Sequence, residues 1–254
     1  MLKEIKKILK KVIEFTDFTI VNKKYLYPED IFGNKDFMEI YKKCKAYTMV
    51  SAEKSYALYR SVKYVEENNI KGDFVECGVY KGGQSMLMAY TLLQEGQANR
   101  NIWLYDTYSG MSKPTDKDVS LSEDKQASKI WQKKKRESHN EWVYSSLSDV
   151  KRNMKQTEYP KQNLDFVEGK VENTIPQSIP QKISILRLDT DFYESTRHEL
   201  EHLYPRLVKG GVLIIDDYNS WKGARMATEE YIKENNIKIL LSKMDTGAMG
   251  VKVE

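Results

Sequence analysis

Cysteine is nearly absent from this 254-residue chain: Cys44 and Cys77 are the only two. A disulfide framework is therefore excluded, and Cys77, inside an apolar stretch, reads as a reduced, buried thiol. No apolar run approaches the ~20 residues needed to cross a bilayer. A signal-peptide core is missing as well, because Lys6, Lys7, Lys10 and Lys11 interrupt the apolar N-terminus. Neither sign of charge dominates. The 41 Lys and Arg stand against 37 Asp and Glu, and the +4 surplus is spread out rather than gathered into a nucleic-acid-binding stripe. Internal repeats and low-complexity tracts are missing too. These absences predict a soluble, cytoplasmic protein that binds no nucleic acid and does not integrate into a membrane. The length suits one large α/β domain with appendages.

What is present is alternation. From Gly72 onward, short apolar runs at 74–77, 102–105, 164–167, 183–188 and 212–215 read as buried parallel strands. Helical patterns at 84–93, 145–156, 193–207 and 224–234 separate them, which predicts a parallel sheet covered by helices on both faces. Runs at 237–241 and 249–253 fit a closing antiparallel hairpin. Ahead of this core, residues 35–47 and 51–69 look like two helices, with Ser51 and Glu53 at the start of the second. Residues 2–15 form a basic amphipathic pattern of a kind that can lie on a membrane surface, but is expected here to pack on the domain or on a second subunit. The domain reading is an N-terminal helical extension over 1–46 and a catalytic domain over 47–254. Residues 111–140 are charged and aperiodic, and read as an inserted lid or a disordered loop.

Two acidic pairs carry most of the chemistry: Asp189-Thr190-Asp191 after the fourth strand and Asp216-Asp217 after the fifth. Four carboxylates at strand carboxyl ends repel one another unless a cation sits between them, and those ends are where open α/β sheets bind ligands. Oxygen-only ligands favour Mg²⁺ or Ca²⁺ over zinc. The first strand runs into Glu76-Cys77-Gly78-Val79-Tyr80-Lys81-Gly82-Gly83, a glycine turn that opens a helix. Its spacing is neither the dinucleotide pattern nor a phosphate loop. Asp106, at the end of the second strand, is placed to accept ribose hydroxyls. A glycine turn and a ribose acid without a pyrophosphate motif suit S-adenosylmethionine, whose adenosine would run towards Gly169-Lys170-Val171.

These blocks, with Gly72-Asp73-Phe74-Val75, Tyr105-Asp106-Thr107, Ser109-Gly110-Met111, Asp189 to Thr196, Leu203 to Leu207, Gly210-Gly211, Asp216-Asp217-Tyr218 and Gly223-Ala224-Arg225, resemble the macrocin O-methyltransferase family in order. That family methylates sugar hydroxyls of macrolides and related glycosides. The resemblance implies a class I methyltransferase, a Rossmann-like and mostly parallel seven-stranded sheet. It also implies a magnesium ion held by Asp189, Asp216 and Asp217, with Asp191 as general base. Cofactor contacts are expected at Glu76, Cys77, Gly78, Ser85, Asp106, Thr107, Ser109, Gly169 and Val171. A homo-oligomer is implied as well, with residues 1–46 contributing contacts.

Other readings compete at single motifs. His198-Glu199-Leu200-Glu201-His202 matches a zinc pattern, but no third ligand is evident and a solvated helix face is expected. Asp189-Thr190-Asp191 also fits the D-x-D of a metal-dependent nucleotide-sugar glycosyltransferase. A catalytically idle binding protein would have no physical reason to keep crowded carboxylates. Trp131 and Trp142, which flank the basic run 133–136, either stack on a sugar or pin the lid. That basic run leans towards an anionic acceptor.

Overall fold

The computed structural model describes residues 28–254, so the amphipathic stretch 2–15 lies outside the described residues. The chain forms two compact units, one ending at Glu39 and one spanning Ile40–Glu254. In the first lie helix α1 (Glu29–Phe32) and the start of α2 (Lys35–Cys44).

The second unit opens with α3 (Ala52–Glu67), where the Ser51 hydroxyl accepts from the Lys54 N–H and so caps the first turn. The alternation then follows as β1 (Asp73–Cys77), α4 (Gly83–Gln94), β2 (Ile102–Asp106), α5 (Ala127–Lys134), α6 (Leu147–Lys155) and β3 (Leu164–Glu168). It continues as α7 (Val171–Thr174), β4 (Ile183–Leu188), α8 (Tyr193–Leu203), β5 (Leu207–Ile215), α9 (Lys222–Glu234), β6 (Ser242–Met244) and β7 (Gly247–Val251).

The seven strands form one sheet in the order β3-β2-β1-β4-β5-β7-β6. The first five are parallel, and β7 runs antiparallel to both of its neighbours. All six residues of β4 are buried, as a central parallel strand covered on both faces requires. No helix among the described residues is long and apolar enough to cross a membrane.

Chain order reverses between β1 and β4: β2 and β3 lie on one side, β5 on the other. That reversal opens a crevice beyond the carboxyl ends. The register aligns those ends in a row. Cys77 is level with Tyr105, Leu188 is level with both Cys77 and Ile215, and each strand therefore releases its next residues into the same crevice. Gly78, Asp189 and Asp216 are thus neighbours although the chain separates them widely.

Two expectations need correction. The closing hairpin is shifted: 237–241 is not a strand, and Leu240 is 82% exposed. The pairing is instead Ser242–Met244 with Gly247–Val251, joined by the two-residue turn Asp245-Thr246. Pairing of β7 to β5 sets this register, and local β propensity at 237–241 does not outweigh it. Residues 111–140 also carry more order than a lid-like loop. They contain α5 and three isolated bridges, one of which joins Ser120 to Trp221.

Candidate active site

Gly78 leaves β1 with φ +84°, and a Cβ there would collide with the Asp189 carbonyl. Only glycine combines that backbone conformation with that approach. The turn that follows is anchored by Asp106. Its Oδ2 accepts from the Val79 and Tyr80 N–H groups at 2.7 and 3.1 Å, and its Oδ1 accepts from Tyr108 N–H at 2.7 Å. Burial raises the Asp106 carboxyl, and these backbone donors oppose the rise. Asp106 therefore braces the glycine turn besides lying on the cavity wall.

The acidic side is organised by two cations that the sequence reading passed over. Arg187, second from the end of the apolar β4 run and level with Glu76 on β1, is buried. Its Nη1 reaches Glu76 at 2.7 Å and Asp189 at 2.8 Å, and its Nη2 reaches Asp216 at 2.6 Å. Lys54, in the first turn of α3, is 8% exposed and donates Nζ to Asp216 Oδ2 at 2.7 Å and to the Asp216 carbonyl at 2.9 Å. A charge inside a largely apolar strand, two residues before an acidic pair, was the available signal for Arg187. None marked Lys54.

Asp216 is thereby saturated. Burial would raise its carboxyl, yet Arg187 and Lys54 hold it below the ordinary value. The expected ion-holding set of Asp189, Asp216 and Asp217 is therefore not the one that converges. Ligand atoms of Asp189, Asp191 and Asp217 lie within 4.8 Å of one another. Successive residues leaving a strand point to opposite sides, so Asp216 turns to the buried cations and Asp217 to the cavity.

At that spacing, two ionised carboxylates repel by roughly 3.5 kcal/mol at an effective dielectric near 20. Burial, with the neighbouring carboxylates adding to it, raises Asp189 and Asp217 well above the usual range. Asp191 is pushed up to about 7, chiefly by burial. Asp191 also sits at φ +68°, a left-handed conformation that aspartate tolerates better than most residues.

A cavity of about 310 Å³ joins the two halves. Glu76, Gly78, Asp106, Thr107, Gly169 and Val171 line it, as do all four aspartates of the acidic pairs. Three expected cofactor contacts are not on its wall. The Cys77 side chain lies in the core beneath β1, and the Ser85 hydroxyl donates to the buried carboxylate of Glu76. Ser109 is exposed, its N–H on the Thr107 hydroxyl. Wall residues that the sequence reading missed come from before α3 (Thr48, Met49, Val50) and from the β6–β7 turn (Asp245, Thr246).

The competing motifs resolve by geometry. His198 Nε2 pairs with the Ile175 carbonyl and His202 Nδ1 with that of His198, while Glu199 is fully buried against Thr190. This face is half-buried rather than solvated, and its histidines are not in the metal-capable cluster found among the described residues. Trp131 donates to the Met111 carbonyl, and Trp142 packs on Phe192 and Trp221. Both tryptophans pin segment 111–142, and neither lines the cavity. The basic run 133–136 is off the cavity wall as well, with Arg136 paired to Glu141.

A seven-stranded sheet with β7 antiparallel, a glycine turn after β1 and an acid after β2 define a class I methyltransferase. Comparison with known proteins gives the next level. The family model described as macrocin-O-methyltransferase (TylF) matches residues 31–252, and the chain belongs to that family. Among curated relatives, the 8-demethyl-8-(2,3-dimethoxy-alpha-L-rhamnosyl)-tetracenomycin-C 4'-O-methyltransferase of Streptomyces olivaceus is 31% identical over 206 residues, 79% of this chain and 73% of its own length. The demethyldecarbamoylnovobiocin O-methyltransferase of Streptomyces niveus is 30% identical over 186 residues, 73% of this chain and 68% of its own. Among solved structures, the O-methyltransferase NovP superposes with a TM-score of 0.71 at 28% identity, covering 82% of this chain and 83% of that one.

Proposed function

We propose that this protein is a Mg²⁺-dependent O-methyltransferase that moves the methyl group of S-adenosylmethionine to a sugar hydroxyl. One observation carries the metal assignment. Asp217 Oδ2 is buried with no hydrogen-bond donor among the described residues, and the Asp217 carboxylate converges with those of Asp189 and Asp191. Five carboxylates (Glu76, Asp189, Asp191, Asp216, Asp217) meet two cations, Lys54 and Arg187, leaving a surplus of five minus two, or three, negative charges when all are ionised. A hard divalent cation with oxygen ligands fits that deficit, with Asp189 and Asp217 as its holders and substrate oxygens completing the shell.

The cofactor supplies an electrophilic methyl on a sulfonium, and the ion would lower the pKa of a chelated hydroxyl. The chain's own residues do the remaining work. The Gly78 turn lets the backbone approach the cofactor, and Asp106 keeps that turn in shape. Asp191 is poised to take the hydroxyl proton, because its raised pKa makes it a better base than an ordinary carboxylate. Arg187 and Lys54 hold Asp216 in place, which anchors Asp217 beside it. Fixing the reactants at attack distance supplies much of the acceleration.

Support for a sugar acceptor comes from the relatives, one of which is named for a rhamnosyl-bearing substrate. The outer wall speaks to its charge. Thr48, Met49, Val50, Met111, Ser112 and Val143 are uncharged, Asp245 is acidic, and the basic run lies elsewhere. We therefore favour an uncharged glycoside over the anionic acceptor suggested by composition. Calorimetry with S-adenosylhomocysteine, followed by mass spectrometry of glycosides and nucleotide sugars incubated with S-adenosylmethionine, tests this. No binding of S-adenosylhomocysteine overturns the enzyme assignment. Turnover that survives EDTA overturns the metal alone, and preferential methylation of nucleotide sugars overturns the charge preference.

A further inference from the structure

Segment 111–140 meets both acidic loops at a single buried carboxylate. Asp118 is fully buried and forms no ion pair among the described residues. Its Oδ2 accepts from the Thr115 N–H and hydroxyl at 2.7 and 2.9 Å. Its Oδ1 accepts from the backbone N–H of Tyr193 at 2.8 Å. Tyr193 opens α8, and the N-cap residue of that helix, Phe192, offers no side-chain acceptor. Asp118 thus provides the missing cap from 75 residues away.

Asp118 also touches the second acidic loop. Its Oδ1 lies against Gly223 in the first turn of α9, where a Cβ would collide with it. Tyr193 follows Asp191 by two residues and Gly223 follows Asp217 by six, so one carboxylate braces both arms of the acidic cluster. The surrounding contacts run the same way. Lys222 N–H donates to the Val119 carbonyl and Leu121 N–H to that of Ser220, each at 2.9 Å. Lys117 Nζ sits 3.2 Å from the Tyr193 ring centroid. Trp142, Phe192 and Trp221 pack mutually at 5.8–5.9 Å. The same segment supplies Met111 and Ser112 to the cavity wall.

We infer that Asp118 is a positioning residue that holds the outer wall at Met111 and Ser112, the Asp189–Asp191 loop and the Asp217 loop as one body. The hydroxyl to be methylated is then presented to Asp191 without a closing movement of segment 111–140. An uncompensated carboxylate is costly to bury, and packing alone would be served by an apolar side chain. Three donors satisfy its two oxygens only in this one arrangement, which ties the three segments together through hydrogen bonds. The catalytic half of this inference rests on the proposed methyl transfer; the geometric half does not.

Hydrogen–deuterium exchange of the full chain separates the two, comparing wild type with Asp118→Ala, Asp118→Asn and Gly223→Ala. In Asp118→Ala, peptides covering 115–121, 189–195 and 217–223 should exchange faster together, by about tenfold. Mn²⁺ affinity should fall roughly tenfold or more, the loss typical when support behind a metal ligand is removed. Affinity for S-adenosylhomocysteine should stay within about twofold, because the Gly78 turn is held by Asp106 and not by Asp118. Asp118→Asn keeps an acceptor for Tyr193 N–H but turns an amide N–H on the Thr115 donors, so it should recover part of the loss. Gly223→Ala should reproduce it by displacing the carboxylate, and that pair decides the matter if the alanine variant does not fold. Faster exchange confined to 115–121, or a parallel loss of S-adenosylhomocysteine affinity, overturns the inference. A wild type that binds neither probe overturns the proposed function, while the exchange pattern still decides the role of Asp118.

Discussion

Lys54 and Asp216 are joined twice, through Nζ to Oδ2 at 2.7 Å and through Nζ to the backbone carbonyl at 2.9 Å. The contact ties the first turn of α3 to the end of β5 across 162 residues. It makes Asp216 an anchor of the acidic cluster, and it leaves Asp217 to face the cavity.

Removing this cation should be costly. Lys54→Met leaves Asp216 buried with Arg187 as its remaining cation, and breaking such a pair typically costs about 3–5 kcal/mol. Urea denaturation of the metal-free protein should show a loss in that range, and Mg²⁺ should restore part of it. A loss below about 1 kcal/mol, the worth of an exposed pair, would mean that the contact is solvated.

Asp217→Asn should act in the opposite direction on stability. It removes one of three mutually repelling carboxylates, so the metal-free protein should gain about 1–2 kcal/mol while Mn²⁺ binding is lost. That is the expected trade at a strained functional site. Paired denaturation and Mn²⁺ titrations test it, and a destabilised variant would show that the carboxylates are not in conflict.

Asp191→Asn should leave the affinity for S-adenosylhomocysteine nearly unchanged, because Asp106 rather than Asp191 holds the glycine turn through the Val79 and Tyr80 N–H groups. Turnover should fall by about 10²–10⁴, the usual contribution of a positioned base. A loss below tenfold would assign Asp191 to positioning rather than proton transfer. The measurement is kcat at saturating cofactor with any acceptor found by the mass-spectrometric screen.

Both thiols should be inert in the folded protein. Burial pushes Cys44 up to about 12 and Cys77 well above its ordinary value. A thiol with a raised pKa stays protonated as pH rises, so iodoacetamide labelling should remain flat between about pH 7 and 9, where a free thiol near 8.5 would ionise. In urea both should label. Native labelling that rises across that window would place one thiol at the surface.

The sequence alone placed the five parallel strands and their acidic ends, because buried strands must be apolar and a ligand crevice gathers polar residues where they stop. It also marked Gly78, whose turn no other residue type can make against the Asp189 carbonyl. The closing hairpin eluded it because β6 and β7 owe their register to β5, a partner that local composition does not encode. The order in segment 111–140 eluded it as well, since Asp118 finds its partners on α8 and beside α9.

The division within Asp216-Asp217 was the hardest to read. Two identical neighbours carry no sign of which one faces an ion. Only the folded sheet decides, by setting Arg187 and Lys54 on Asp216 and leaving Asp217 Oδ2 without a donor among the described residues. Residue type and spacing thus determined that carboxylates gather at one end of this sheet. Which of them are paired and which are left in conflict was decided by long-range contacts, because the cation at Lys54 reaches Asp216 only once α3 has packed across the strand ends.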